Sequence, residues 1–310
     1  MIGEEGFASA SGGTFRVLEE NQMIVGNQLP SPTPLVASYW TTAGGVPGLG
    51  PGHSRFSFLE RVAAAEEAGF TGMGLLDSDL QHILAALSLS ECKRILNDHG
   101  MVHIELEFLV DWFLTGEKRQ VADQRRDFLL EVADVLEPKV LKVGDFSNSP
   151  CSLAQVTDSF GELCRKAAPG GTRVAFEPMP VSVIHTLTDA LALVRGAGAP
   201  NGGLAIDIWH MVSLEIPLVQ VSKIAREYLA CVELNDAKRN PGSGNGLSDE
   251  RCYCGQGDLN VRGFVEAIRK TGYSGPWGVE LFSQDLADAP VGEVASRAAR
   301  TAAAFLNKGP

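Results

Sequence analysis

Short apolar segments alternate with amphipathic stretches along the chain from Leu35 onward. The apolar segments are bounded by Gly, Pro or polar residues, which is typical of short strands buried on both faces of a sheet. Eight such segments occur, at 35–40, 72–77, 102–109, 140–146, 173–178, 203–209, 230–236 and 277–282. Between them, apolar residues recur at spacings of three and four, which predicts amphipathic helices.

Eight predicted strands that alternate with eight predicted helices favour one α/β domain, a (β/α)8 TIM barrel. A doubly wound open sheet is the competing architecture. Two of the predicted helices, at 79–100 and 213–229, are long. Residues 1–33 are rich in Gly, Ser and Asn and lead into the Pro-dense segment PSPTP, so we assign 1–33 to an N-terminal extension and 34–310 to the barrel. We expect the extension to pack on the barrel or on a neighbouring subunit, and the protein to be a homo- or hetero-oligomer.

The composition narrows the possible partners. The chain has 310 residues, with 26 Lys and Arg against 38 Asp and Glu, for a formal net charge of -12. Because phosphate contacts need clustered cations, this excess of acid argues against a nucleic-acid partner. No apolar run approaches the roughly 18 residues of a membrane span, and the first residues do not resemble a secretory signal. The one C-x-C, Cys252 and Cys254, is weak support for zinc, and we expect reduced thiols in a cytoplasmic protein.

Acidic residues stand at the ends of the last four predicted strands: Glu177, Asp207, Glu233 and Glu280. A lone carboxylate in an apolar segment is costly, and in a barrel these strand ends converge on one mouth. Four anions there would repel one another unless a cation lay among them. Oxygen ligands favour Mg²⁺ or Mn²⁺, so we expect a divalent metal ion. The alternative, that one or two of these acids cap loops or pair with arginines, stays open.

These acids and the motifs around them resemble the sugar phosphate isomerase/epimerase superfamily, the xylose-isomerase-like barrels, over roughly residues 35–306. The matching motifs are FEP at Glu177, D-x-x-H at 207–210, the strand segment 233–236, GQGDL at 255–259 and the Glu of the last strand. The resemblance implies that Glu177, Asp207 and Glu280 ligate the metal. The fourth ligand of the family is usually a His, and Glu233 holds that position here.

Several residues are candidates for substrate contacts. The resemblance implies that His210 and Arg239 bind substrate oxygens. Lys142 lies within an apolar segment, so it either faces the mouth or extends its ammonium to the surface. His185, in a predicted loop, is either a general acid or a surface residue. Trp112 is either a wall of the substrate pocket or a core residue. Further candidates around the mouth are Trp40, His53, Glu107, Asp111, Trp209 and Arg251.

The chemistry that fits these residues is proton transfer next to a carbonyl. A metal that binds two vicinal oxygens of a keto-sugar acidifies the intervening C–H, and carboxylates on either side, Glu177 and Glu280, then move the proton. The predicted function is therefore a metal-dependent sugar isomerase or epimerase. With a leaving group in the β position the same first step gives a lyase, either an inosose-type dehydratase or a C-glycoside-cleaving subunit, with His210 or His185 as general acid. A non-catalytic barrel subunit is the third possibility.

Overall fold

A computed structural model describes residues 33–147 and 149–307. Within these ranges eight parallel strands form a closed barrel in chain order, in which the first strand pairs with both the second and the last. The closed ring confirms the predicted (β/α)8 TIM barrel and excludes the open doubly wound sheet. The predicted N-terminal extension lies almost wholly in residues 1–32, outside the described ranges, so its packing and the oligomeric state stay predictions.

Each strand lies on one of the predicted apolar segments, although β6 and β7 begin one residue earlier than predicted. The strands are β1 (Leu35–Ala37), β2 (Gly72–Leu76), β3 (His103–Leu109), β4 (Val140–Val143), β5 (Arg173–Phe176), β6 (Gly202–Asp207), β7 (Leu229–Leu234) and β8 (Trp277–Val279).

Helices connect the strands and cover the outside of the barrel. They are α1 (Tyr39–Ala43), α2 (Phe58–Glu67), α3 (Asp77–Ile83), α4 (Leu89–Asp98), α5 (Gly116–Leu136), α6 (Leu153–Ala167), α7 (Leu187–Ala197), α8 (Ile208–Ser213), α9 (Leu218–Val221), α10 (Val261–Lys270), α11 (Gln284–Ala287) and α12 (Val291–Leu306), with 3₁₀ turns at Ala168–Gly170 and Arg226–Tyr228. In the part of the chain that the structure describes, none of them is both long and apolar enough to cross a bilayer.

Two predicted helices are wrong in their extent. The helix predicted at 79–100 is divided into α3 and α4, because Ser88 and Glu91 form a capping box in which each side chain accepts from the other residue's backbone N–H. The helix predicted at 213–229 is reduced to α9 and a 3₁₀ turn. Pro217 has no N–H to donate to a helix that would run through it, and Glu215 has a left-handed φ of 54°.

Alternation along the strands separates two sets of side chains. Outward-facing residues such as Leu75, Leu106 and Ile206 pack with the helices in the main apolar core. Inside the barrel, a separate cluster of small or branched residues is formed by Val140, Ala175, Ala205 and Cys231. Two residues further along the same four strands, and so on the same inward face, stand Lys142, Glu177, Asp207 and Glu233. The interior is thus apolar at this level and charged toward the C-terminal ends of the strands.

Candidate active site

Four acidic side chains stand at the barrel mouth, where the C-terminal ends of the strands converge. Asp207 ends β6 and pairs in register with Glu233 of β7. Glu177 and Glu280 directly follow β5 and β8, and their backbone N–H groups donate to carbonyls of the neighbouring strand at 2.9 and 3.0 Å. The sheet therefore fixes the backbone of all four predicted metal ligands.

Three of these four carboxylates converge, since ligand atoms of Asp207, Glu233 and Glu280 all lie within 4.8 Å of one another. Glu177 is outside this group, and its Oε1 lies 3.5 Å from His210 Nε2. That oxygen is buried and has no hydrogen-bond partner among the described residues. Asp207 caps α8 by accepting from the backbone N–H of His210 at 3.1 Å. The structure thus brings Glu177 and His210 to the same mouth as the three convergent acids.

Burial and the repulsion of neighbouring carboxylates raise the pKa values of Glu177, Glu280 and Asp207. Burial raises the pKa of Glu177 well above its ordinary value, and the carboxylates of Glu233, Glu280 and Asp207 raise it further. The pKa of Glu280 is raised in the same way, by burial first and then by Glu233 and Asp207. Burial also raises the pKa of Asp207 to about 6, although the Arg251 guanidinium opposes the shift. A carboxyl group with a raised pKa is suited to hold and release a proton.

The donor set fits a hard divalent cation. All four predicted ligands offer carboxylate oxygens, the donors that Mg²⁺ and Mn²⁺ prefer. A cation among them would offset the mutual repulsion of the carboxylates. Glu177 Oε1 and Asn235 Oδ1 are also buried oxygens without a hydrogen-bond partner within the described ranges. The residues present are therefore compatible with a divalent cation held by oxygen ligands.

A cavity of about 750 Å³ opens over the barrel mouth. This volume falls in the range of pockets that bury a small organic molecule. Polar side chains from the strand ends and loops reach it, among them Glu107, Glu177, His210, Arg251 and Glu280. The remaining wall includes the aromatic side chains of Trp40, Phe108, Phe146 and Phe282. The cavity therefore combines titratable groups with apolar faces.

His210 and Arg251 line this cavity, and each has a buried nitrogen without a hydrogen-bond partner among the described residues. Burial, with a further contribution from the Arg251 cation, lowers the pKa of His210 well below its usual value, so the imidazole is neutral at neutral pH. Its Nδ1 is buried and has no hydrogen-bond partner in the described structure. The Arg251 guanidinium lies 3.6 Å from the centre of the Trp209 ring, and its buried Nε is also without a described partner. Both side chains are available to a bound molecule.

Lys142 is buried next to three carboxylates and is not among the described residues that line the cavity. Its Nζ lies 2.6 Å from Glu233 Oε1 and 3.1 Å from both Glu105 Oε2 and Glu107 Oε1. Burial alone lowers the pKa of a lysine, but the carboxylates of Glu107, Glu233 and Glu105 outweigh it and hold the pKa of Lys142 well above its usual value. The structure thus places a fixed ammonium inside the barrel rather than at the cavity wall.

Three predicted substrate contacts lie away from the cavity. Arg239 is exposed in a loop. His185 is also exposed, with its Nδ1 3.0 Å from the carbonyl oxygen of Ser182. Trp112 is a core residue at 4% exposure, and its Nε1 donates to the carbonyl of Gly144 at 3.0 Å. None of the three is among the described residues that line the cavity.

The structure brings forward two residues that the sequence analysis did not name, Glu105 and Arg125, and places a further candidate, Arg251, at the cavity. Glu105 faces the same side of β3 as Glu107 because the two are separated by one residue. This spacing is visible in the sequence and could have identified Glu105. Arg251 supplies the guanidinium at the cavity that was predicted for Arg239. Arg125 of α5 also lines the cavity, and no local pattern distinguishes it from the other arginines of that helix.

Comparison with known proteins agrees with the fold. The profile of the xylose isomerase-like TIM barrel family matches residues 62–308. A 3-dehydroshikimate dehydratase of Pseudomonas aeruginosa is 27% identical over 239 residues, which make up 74% of this chain and 37% of that protein. An inosose isomerase of Halalkalibacterium halodurans is 27% identical over 157 residues, 50% of this chain and 53% of that protein. The matched part of the chain thus spans less than two thirds of the length of either relative.

A solved structure supports the same architecture. The crystal structure described as IOLI protein with a binding zinc atom superposes with a TM-score of 0.77 at 19% identity, covering 89% of this chain and 98% of that one. At this level of identity the likeness concerns the fold.

Proposed function

Because the chain belongs to the xylose isomerase-like TIM barrel family, we propose that it is a divalent-metal-dependent sugar isomerase or epimerase that transfers a proton at a carbon next to a carbonyl. One observation carries the proposal: two carboxyl groups with raised pKa, Glu177 and Glu280, line one cavity beside the acids Asp207 and Glu233. A relative named as an inosose isomerase supports a small polyhydroxylated ketone as the class of substrate.

The proposed cation is Mn²⁺ or Mg²⁺, and Glu177, Asp207, Glu233 and Glu280 would hold it through carboxylate oxygens. When bound, such an ion polarises the substrate carbonyl and stabilises the negative charge that develops on its oxygen. The residues of the chain supply the proton transfers.

Glu177 and Glu280 have complementary positions for those transfers. They follow β5 and β8, which are separated in the barrel by β6 and β7, so they reach the cavity from different sides. In the proposed reaction the Glu177 carboxylate takes the proton from the substrate carbon. The Glu280 carboxylic acid then delivers a proton to the planar intermediate, on the opposite face for an epimerisation or on the neighbouring atom for an isomerisation.

His210 and Arg251 orient the substrate in this scheme. The neutral imidazole of His210 lies beside Glu177, and its Nδ1 has no hydrogen-bond partner in the described ranges. Arg251 presents a buried Nε–H and a positive charge from its stacked position on Trp209. We assign both side chains to hydroxyl or carbonyl oxygens of the substrate.

Dehydration is the second candidate, and two observations favour it. The relative that matches 74% of the chain is named as a dehydratase. Elimination also needs an acid that protonates the departing hydroxyl, and Glu280, whose pKa burial raises well above its ordinary value, is a carboxylic acid at the same cavity. The first step is the same, removal of the proton by Glu177, and the outcome depends on whether the substrate carries a leaving group in the β position.

Deuterium incorporation tests the shared step. Chelator-treated, Mn²⁺-reloaded protein is incubated in D₂O with ketoses, inososes and cyclic keto-acids, and the substrate is followed by NMR. We expect solvent deuterium next to the carbonyl, with an isomeric product for the first candidate and a dehydrated product for the second.

Glu177→Gln and Glu280→Gln should abolish turnover with the fold retained, whereas exposed Glu266→Gln should match the wild type. Incorporation that is unchanged in Glu177→Gln would refute the assignment of the base. Mn²⁺-reloaded protein that shows no incorporation on any substrate would favour a non-catalytic barrel.

A further inference from the structure

Lys142 occupies the centre of a buried carboxylate group, and of its three acids Glu107 alone also lines the cavity. The acids Glu105, Glu107 and Glu233 have ligand atoms within 4.8 Å of one another, and the same is true of Asp207, Glu233 and Glu280. Only Glu233 belongs to both groups. The Lys142 ammonium lies 2.6–3.1 Å from an oxygen of each acid in the first group.

The two carboxylate oxygens of Glu233 are used differently. Oε1 accepts hydrogen bonds from Lys142 Nζ, at 2.6 Å, and from Ser38 Oγ. Within the described ranges neither residue, nor any other, donates a hydrogen bond to Oε2. One oxygen is thus committed to the ammonium and the other is available to a second cation.

The surrounding backbone makes room for this arrangement. Gly278 pairs in register with Glu233, and a Cβ on Gly278 would lie 2.8 Å from Glu233 Cγ. A Cβ on Gly74 would lie 2.0 Å from Glu107 Oε1. Side chains at these two positions would displace the acids from Lys142. Glu105 Oε2 is buried and makes no hydrogen bond with the described residues, although it lies 3.1 Å from Nζ, so charge rather than hydrogen-bond geometry holds it there.

We propose that Lys142 is a built-in cation that fills a second cation position below the mouth, and that Glu233 is shared between this ammonium and the divalent ion. The sharing rests on the proposed function, whereas the role of Lys142 as resident cation does not. Three buried carboxylates need a positive charge in their midst, and a tethered ammonium supplies it permanently. Lys142 is a positioning residue in this role: it fixes Glu233 and limits the mouth to one divalent ion.

The proposal predicts a change in metal stoichiometry. Removing the side chain in Lys142→Ala leaves three carboxylates around an open space, which matches the oxygen donor set of a second divalent ion. Full-length wild type, Lys142→Ala and the matched surface variant Lys223→Ala are stripped with chelator and equilibrated with Mn²⁺ by dialysis. Bound Mn²⁺ is counted by elemental analysis. We expect Lys142→Ala to gain one ion per chain over the wild type and Lys223→Ala to gain none.

Two further readouts keep the test decisive. Mn²⁺ should raise the Tm of Lys142→Ala more than that of the wild type, because the added ion replaces the lost ammonium. Should Lys142→Ala fail to fold, Lys142→Ala/Glu105→Gln carries one carboxylate fewer and is expected to fold and to gain an ion as well. EPR should show spin coupling between two ions that share Glu233.

The outcomes separate the two proposals. Variants with the Mn²⁺ content of the wild type, and the same response of Tm to Mn²⁺, would overturn the role of Lys142. Two ions without spin coupling would overturn the sharing of Glu233. A wild type that binds no Mn²⁺ would contradict the proposed function, yet a gain of one ion in Lys142→Ala would still support Lys142 as the resident cation.

Discussion

The variant Glu105→Gln tests the electrostatics of the barrel interior through the pH dependence of stability. Burial is the main cause that raises the pKa of Glu105 from its ordinary 4.5 to about 7, with the Lys142 ammonium opposing it and Glu233 and Glu107 adding to it. The folded state therefore holds a proton that the unfolded chain has lost over this range. Stability from this group is present below pH about 4.5 and is lost as the pH rises through about 7.

The magnitude follows from the size of the shift. One pKa unit corresponds to about 1.4 kcal/mol, so the whole shift amounts to about 3 kcal/mol, of which about 2.5 kcal/mol falls between pH 5 and 8. His210 has the opposite effect on the pH dependence of stability. Burial lowers its pKa, so the folded state gains stability as the pH rises toward 6.5, the usual pKa of histidine in the unfolded chain. A single pH profile mixes the two effects, whereas the difference between Glu105→Gln and the wild type isolates Glu105.

Thermal unfolding in chelator, at pH 5 and at pH 8, measures that difference. The amide of Glu105→Gln resembles the protonated acid, so the variant and the wild type should differ little at pH 5. At pH 8 the free energy of unfolding of the variant should exceed that of the wild type by about 2–3 kcal/mol more than it does at pH 5. For a domain of this size this corresponds to a Tm difference of about 4–12 °C. Exposed Glu266→Gln should track the wild type at both pH values. A Tm difference for Glu105→Gln that is the same at pH 5 and pH 8 would refute the reasoning.

Three other predictions concern single side chains. Arg251→Ala should raise KM by about 10–100-fold, since a hydrogen bond to a charged group contributes about 1.5–3 kcal/mol; an unchanged KM would remove Arg251 from the substrate site. Trp112→Ala should cost about 3–5 kcal/mol in urea unfolding because the ring is buried in the core, while Mn²⁺ content stays at the wild-type level. Arg239→Ala should leave kcat/KM within about twofold, as expected for an exposed side chain outside the cavity; a large loss would show that the loop closes over the substrate.

The strands were predictable from the sequence because each is a short apolar run between turn signals, buried on both faces. The helix divided at Ser88 also had a local signal, since S-x-x-E at 88–91 is a capping-box pattern. Pro217 is a similar marker for the interrupted segment before β7. Both helices were predicted too long because the spacing of apolar residues continues past residues that end a helix.

The site was predictable only in part. Acids at strand ends are visible in the sequence, and barrel closure then brings Asp207, Glu233 and Glu280 together. The contacts of Lys142 required the register of three different strands, which no local pattern reports. Arg251 reaches the cavity because an isolated bridge joins its backbone to Phe282 after β8, a contact made across a loop.

Anomalous diffraction from crystals grown with Mn²⁺ is the most direct test of the proposed site. Data collected at the manganese edge locate the ion independently of any assumption about its ligands. We predict one strong peak per wild-type chain at the barrel mouth, with Asp207, Glu233 and Glu280 among its ligands and Lys142 still bound to Glu233. A peak elsewhere on the protein, or none at the mouth under saturating Mn²⁺, would contradict a metal-dependent active site in this barrel.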